Sequence, residues 1–410
     1  MPIQTIPLAN HIKLIHKEVT SPVSHFGVLV NAGTRDEPTD KMGLAHFVEH
    51  TIFKGTTHRN SYQILRRLED VGGDLNASTS KEETYFHASF LSGDYPRALE
   101  LLSDIFFNST FPKKELEKEK DVVLEEINYY QDTPAELIFD EFEDLVFAQH
   151  PLGRNILGNK KTVKKLQRED ILQFMKESYC AHDIVLASVG NISTNKLLAL
   201  CNKYFAQQPI NENPKQRTPF NNYTPTTKQV HKNTYQAHIL TGNIAYAITD
   251  DKRLPFTLLA NLLGGQGLNT RLNMSIREKL GLAYAVEANY SAFSDTGLFN
   301  IYIGCDTSEA QHCIELAHKE MQKLKQNKLG TIQLHKAKRQ FIGQTAINCE
   351  SKLNEMLSIG RSAFYDNEIE TTEELYEKIE EITASELLET ANEIFIPDQF
   401  STLIYAKQHI

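Results

Sequence analysis

Apolar residues recur along the chain in two rhythms, one close to alternation and one close to a helical turn. HIKLIHKE (11–18) and HFGVLVNAGTRDE (25–37) gather Leu, Ile and Val into short runs that predict strands. Leu44, Phe47, Val48 and Ile52 then fall on one face of a helix. SYQILRRLEDVG (61–72) predicts a second helix, closed by Gly72-Gly73. LNASTS (75–80) and TYFHASFL (84–91) read as strands, YPRALELLSDIFF (95–107) and KKELEKEKDVVLEEINYYQ (113–131) as helices, and HPLGRNILG (150–158) as a turn-rich loop.

The second half repeats this order. HILTGNIAYAI (238–248) predicts a strand, LPFTLLANLLGG (254–265) and NTRLNMSIREKLG (269–281) helices, AYAVEANYSAF (283–293) and GLFNIYIGCD (297–306) strands, and AQHCIELAHKEMQKLKQ (310–326) and the segment after Gly330 helices. A repeat with a period of about 200 residues implies two similar domains. The join falls within Gln207–Lys232, rich in Pro, Asn, Thr and Lys, which gives domains 1–208 and 233–410 around a linker 209–232. Neighbouring strands joined by short turns imply an α+β fold, each domain a mostly antiparallel sheet with helices packed on one face.

Composition narrows the class. At 410 residues the chain exceeds one ordinary core, and 40% hydrophobic with 23% charged residues describes a soluble globular protein. The formal net charge of −10 argues against a nucleic-acid surface. Apolar runs fall short of the roughly 18 residues of a membrane span. The N-terminus lacks the pattern of a signal peptide, so a cytoplasmic location is expected. The five cysteines are scattered and form no C-x-x-C, consistent with reduced thiols. Acidic residues concentrate at Glu136–Asp144 and Asp366–Glu381, and each stretch reads as a solvated helix face. Gly264-Gly265-Gln266-Gly267 lacks the ending of a phosphate loop, which excludes nucleotide binding there.

The chemistry gathers in His46-Phe47-Val48-Glu49-His50, of the form H-x-x-E-H, the reverse of the H-E-x-x-H metalloprotease motif. On a helix His46 and His50 stack one turn apart, a spacing that suits one Zn²⁺. Glu49 lies between them in angle, near enough to serve a water beside the metal. A third ligand is still needed, and segment 113–131 offers Glu115, Glu117, Glu119, Glu125 and Glu126. Of these Glu119 and Glu126 are two turns apart and share a face, with Val122, Val123 and Ile127 to press the helix on a core. The equivalent second-half helix, LPFTLLANLLGG, has no His, Glu or Cys, so only the first domain can hold the metal. Leu75–Thr79, with small side chains, reads either as an ordinary interior strand or as an edge able to accept a peptide. His25, His58, His87 and His238 lack ligand spacing and read as structural.

HFVEH followed about 70 residues later by E-x-x-x-x-x-x-E resembles the pitrilysin family of inverted-motif zinc peptidases, which includes insulin-degrading enzyme and the mitochondrial processing peptidase. GLAHFVEHTIFKGT, GGDLNASTSKEETYF, EKDVVLEEI, HPLGRNILG and IREKLGLAYAV fall in family order, and the layout is most similar to the processing-peptidase branch and its bacterial relatives. The resemblance implies one zinc per chain held by His46, His50 and Glu126, with Glu49 as catalytic base and Glu119 supporting a ligand. It implies substrate binding at Asn76 and Ala77, and a substrate-facing pair, Arg277 and Tyr284, on the second domain. It further implies an endopeptidase acting on short or unfolded peptides inside a dimeric clamshell, a homodimer or a heterodimer with a related subunit. In that arrangement Arg277 and Tyr284 of one subunit serve the zinc of the other. The family also contains catalytically silent scaffold members, but the set His46, Glu49, His50 and Glu126 is intact here. Asn10-His11 stands where relatives often have Asn-Gly at a hairpin, and Asn269-Thr270 where many have two serines.

Overall fold

The computed structural model describes residues 2–206, 215–366 and 369–407. Part of the expected join, 207–214, and residues 367–368 of the second acidic stretch lie outside the described residues. In chain order the elements begin with β1 (Gln4–Pro7), β2 (Lys13–Glu18), β3 (Val23–Val30), α1 (Leu44–Thr51), α2 (Ser61–Glu69), β4 (Asp74–Thr79) and β5 (Thr84–Leu91). There follow α3 (Tyr95–Asn108), α4 (Lys113–Gln131), α5 (Pro134–Val146), α6 (Lys160–Val163), α7 (Arg168–Ser178), β6 (Ile184–Gly190) and α8 (Thr194–Tyr204). The second half contains β7 (Thr227–His231), β8 (Ala237–Ala245), α9 (Arg253–Gly264), a π-helical segment (Asn273–Glu278), β9 (Ala283–Ala292) and β10 (Gly297–Cys305). It closes with α10 (Ala310–Gln326), α11 (Thr331–Cys349), α12 (Lys352–Ser362), α13 (Thr372–Glu381), α14 (Ala384–Ile394) and β11 (Ser401–Ala406).

The strands form two sheets, of order β1-β2-β6-β3-β5-β4 and β7-β11-β8-β10-β9. Apart from β1, the two orders correspond strand for strand. In each, the last strand of the half inserts parallel to the first (β6 on β2, β11 on β7), and every other pairing is antiparallel. The repeat read from the hydrophobic pattern is therefore a repeat of topology, and the α+β, mostly antiparallel expectation holds.

Two compact units result, one from residues 1–127, 154–217 and 346–372, the other from 128–153, 218–345 and 373–410. Compared with a linear division at 209–232, two helices change sides. Phe299, Ile301 and Ile303 of β10 face α9, α10 and α14, whereas Leu298 and Tyr302 face Ile138, Phe142 and Val146 of α5. In the first unit Ile15, Leu29, Val185 and Ala187 meet Met356 and Ile359 of α12. Strand side chains alternate between faces, so each sheet has a second apolar face, and one helix supplied by the other half of the chain covers it. The main helical layer is on one face as expected; the opposite face carries this single helix.

Candidate metal centre

The first unit holds the cluster, and its geometry begins with α1. Leu44, Ala45, Phe47, Val48 and Thr51 are buried, His46 is 7% exposed, and Glu49 and His50 are half-buried. The apolar face thus enters the core and leaves the His/Glu face at its margin. The N-cap is Gly43, at φ 89°. A Cβ there would lie 2.6 Å from the Leu157 carbonyl oxygen, so the loop 150–158 fits against the helix start only because the residue is glycine. Glu37 accepts hydrogen bonds from the Gly43 and Ala45 amides at 2.9 and 2.8 Å.

The facing residues come from α4, anchored through buried Leu116, Val123 and Ile127. Val122, expected to join them, is 48% exposed, because it is one residue and about 100° away from the anchoring stripe. Glu119 is buried, Glu126 half-buried and Glu125 exposed. His46, His50 and Glu126 each offer one ligand atom, all within 4.8 Å of one another. Glu126 Oε2 lies 3.7 Å from both His46 Nε2 and His50 Nε2, beyond hydrogen-bond reach yet converging on one point. Two imidazole nitrogens and a carboxylate oxygen that meet without bonding to each other fit the donor set of a zinc site with one position left open.

The surroundings fix the donors. His50 Nδ1 is 3.2 Å from Glu119 Oε2, and Lys54 Nζ donates to Glu119 Oε1 at 2.6 Å. A carboxylate on Nδ1 selects the tautomer whose Nε2 lone pair is free for a cation. Burial, with His50 beside it, depresses His46 to about 3, so its imidazole is neutral at neutral pH. Its Nδ1 is buried without a hydrogen-bond partner. Burial also raises the Glu49 carboxyl, a rise that Thr79 and His50 oppose and Glu126 reinforces. Among the described residues this is the one His/Cys/Asp/Glu group with metal-site spacing, and α9, the second-unit counterpart of α1, contributes no such donor.

Residues 13–160 match the family model described as Insulinase (Peptidase family M16), and residues 165–341 match Peptidase M16 inactive domain. The chain belongs to the M16 peptidase family. A Rickettsia felis protein named as an uncharacterized zinc protease is 32% identical over 381 residues, 92% of this chain and 91% of that one. YmxG of Bacillus subtilis, likewise named as an uncharacterized zinc protease, is 30% identical over 380 residues, 92% of each chain. Two crystal structures share the fold: a peptidase M16 inactive domain from Pseudomonas fluorescens (TM-score 0.93, 20% identity, 100% of this chain and 98% of that one) and a protease from Helicobacter pylori (TM-score 0.91, 22% identity, 99% and 100%).

In this M16 chain the other expected residues come from β4 of the first unit and from the second unit. β4 is an edge strand, with Asn76 exposed and Ala77 half-buried. The Ala77 amide donates to Asn76 Oδ1 at 2.8 Å, so a neighbouring side chain occupies the edge amide. Arg277 and Tyr284 belong to the second unit, and both are exposed. Arg277 stands in the π-helical segment, a geometry frequent at functional sites, and Tyr284 Oη donates to Asp306 Oδ1 at 3.3 Å. The four histidines read as structural do not join a metal-type cluster; His58 contacts Asp104 at 2.6 Å and His238 contacts Tyr302 at 2.8 Å. Sequence reasoning missed Lys54 and Glu37. Lys54 sits four residues after His50, a spacing that could have drawn attention to it. Glu37 carries no periodic signal, because it reaches α1 from outside the helix.

Proposed function

We propose that this chain is a zinc-dependent endopeptidase of short or unfolded peptides. The observation that carries the reading is the convergence of His46 Nε2, His50 Nε2 and Glu126 Oε2 within 4.8 Å, with Glu49 on the same helix. When bound there, zinc polarises a carbonyl and acidifies water. Glu49 accepts the proton of the attacking water and returns it to the leaving amine, a role helped by a carboxyl raised by burial. Glu119 holds His50 in the ligating tautomer.

The edge strand β4 holds a peptide extended through main-chain hydrogen bonds at Asn76 and Ala77, once Asn76 Oδ1 releases the Ala77 amide. Arg277 and Tyr284, exposed donors, stabilise a substrate carbonyl or the developing oxyanion. In our reading they serve the zinc of a second subunit in a homodimer, or in a heterodimer with a related chain. The enclosed chamber then selects for unfolded or short peptides. A catalytically silent docking subunit would be expected to have lost one of His46, Glu49, His50 and Glu126, and all four are present.

The test is cleavage of a quenched fluorescent peptide library by wild type and Glu49→Gln, with and without chelator. Cleavage that chelator stops, zinc restores and the variant lacks supports the reading. Bound zinc without cleavage points to a missing partner subunit, and absence of both points to the docking role.

A further inference from the structure

The metal-bearing helix does not cap its own start. Its N-cap, Gly43, has no side chain to accept a hydrogen bond, and its first turn holds no acidic residue. The first amides of a helix need acceptors from elsewhere, and here both Gly43 and Ala45 are buried away from water. Glu37 supplies both acceptors, Oε2 to the Gly43 amide and Oε1 to the Ala45 amide. It is 4% exposed, and its main chain is fixed in turn. The Glu37 amide donates to Thr34 O at 3.3 Å, and Arg154 Nη1 donates to Glu37 O while Nη2 reaches Thr39 Oγ1 at 3.0 Å. Lys81 Nζ donates to Arg154 O at 2.5 Å, which ties this strap to the β4–β5 turn.

An ordinary cap residue moves with the helix it caps. Burial pushes the Glu37 carboxyl up to about 8, against the two amides and Arg154, which favour its charged form; a carboxyl group rooted outside the helix, with one oxygen on each of two amides, instead defines where the first turn starts and how the helix is rotated. Ala45 immediately precedes His46, and His50 lies one turn further on. A side-chain tip about 6 Å from a helix axis moves about 1 Å for a rotation of roughly 10°. Metal ligation tolerates about half that displacement.

We infer that Glu37 is a positioning residue for the metal centre, setting the rotation of α1 so that His46 and His50 both aim at Glu126. This rests on the proposed reading of α1 as the metal-binding helix.

Full-length Glu37→Gln and Glu37→Ala are compared with wild type and with Glu355→Gln. The last is a stability control that loosens α12 from β2, away from α1, by removing the charge and one of the two acceptor oxygens shared by Lys17 and Lys352. The readouts are zinc Kd by competition with a chromophoric chelator, denaturant midpoint, and hydrogen exchange of the Gly43 and Ala45 amides. An amide at position 37 retains one acceptor but turns a donor toward the other N–H, so Gln falls between Glu and Ala. The expected result is faster exchange at these amides in both Glu37 variants, with zinc Kd weakened about tenfold in Gln and more in Ala, and a wild-type Kd in Glu355→Gln. Should the Ala variant not fold, the Gln variant decides. Wild-type zinc affinity in Glu37→Gln despite faster exchange would overturn the inference, leaving a purely structural cap. Equal weakening in Glu355→Gln would overturn it too. A wild type that takes up no zinc overturns the metal reading itself, and the positioning role with it; that outcome is identified on wild type alone.

Discussion

Glu119→Gln isolates how much the carboxylate behind His50 contributes to the proposed metal centre. Glu119 uses one oxygen on His50 Nδ1 (3.2 Å) and the other on Lys54 Nζ (2.6 Å), and it is 9% exposed. Glutamine keeps the shape but has a single acceptor. If its oxygen faces His50, its NH₂ faces the Lys54 ammonium; if it faces Lys54, the NH₂ meets the His50 N–H. Either way one donor pair is opposed, and the negative charge that complements a cation is gone. Loss of such a partner weakens metal binding by about 10- to 100-fold, roughly 1.4–2.7 kcal/mol. Lys54 is 26% exposed, so water solvates its released ammonium and the fold should lose little stability. The assay is zinc competition against a chromophoric chelator at fixed pH and salt. Adding Lys54→Met lets the glutamine oxygen turn to His50, so the double variant should recover part of the affinity. A Kd for Glu119→Gln within about threefold of wild type, or a double variant weaker than the single one, would refute this account of the His50 orientation.

With Glu49 as the proposed base, Glu49→Gln should lower kcat by at least about 10²–10⁴-fold while zinc Kd stays within a few-fold of wild type, because the residue is not one of the converging donors. Mixing Glu49→Gln with Arg277→Ala subunits should restore measurable cleavage in mixed dimers, and no gain over the separate variants would remove the trans arrangement. His11 has φ 69° in the β1–β2 turn, so His11→Gly should stabilise the fold by about 0.5–1 kcal/mol in urea unfolding, unless its stacking on His182 at 5.1 Å outweighs the relief. Burial raises Glu355, but Lys17 and Lys352 outweigh it and hold the carboxyl below its usual range. Its stabilisation is therefore present above the unfolded pKa of about 4.5 and lost as pH falls through the lower folded value. Unfolding free energies of wild type and Glu355→Gln, read from urea curves and separated by about 1–3 kcal/mol at pH 7, should converge once pH falls below the folded value.

Periodicity made much of the site legible. The helical spacing of Leu44, Phe47 and Val48 leaves His46 and His50 on one margin, and two turns separate Glu119 from Glu126, as the structure has them. Periodicity fails where burial is two-sided. All seven residues of β6 are buried, and it pairs with both β2 and β3, so Ile184–Gly190 has no alternation to read. β11 pairs with β7 across most of the second half, a contact set by topology and not by local pattern. The helices α5 and α12 have apolar faces like any other, and nothing in those faces specifies which sheet they cover. Glu37 is invisible for a related reason: it caps from six residues before the cap position, and the residue in that position is a glycine.

The duplicated topology sharpens what determines function here. α1 and α9 occupy equivalent places, each between the central strand and the edge hairpin of its sheet. α9 buries Pro255, Phe256, Leu258, Leu259, Ala260 and Leu263, so its surroundings ask only for apolar volume. α1 buries a comparable apolar face yet turns His46, Glu49 and His50 to the margin, where α4 brings Glu119 and Glu126 across. The same fold position is therefore a plain core helix in one unit and a donor platform in the other, and sheet order alone cannot separate them. What separates them is a handful of polar groups whose cost of burial is met locally: Glu37 on the first amides, Glu119 on His50 Nδ1, and Lys54 on Glu119. Transplanting only the H-x-x-E-H residues onto α9 would leave those groups unsupplied, so metal affinity should not follow the motif without its supports.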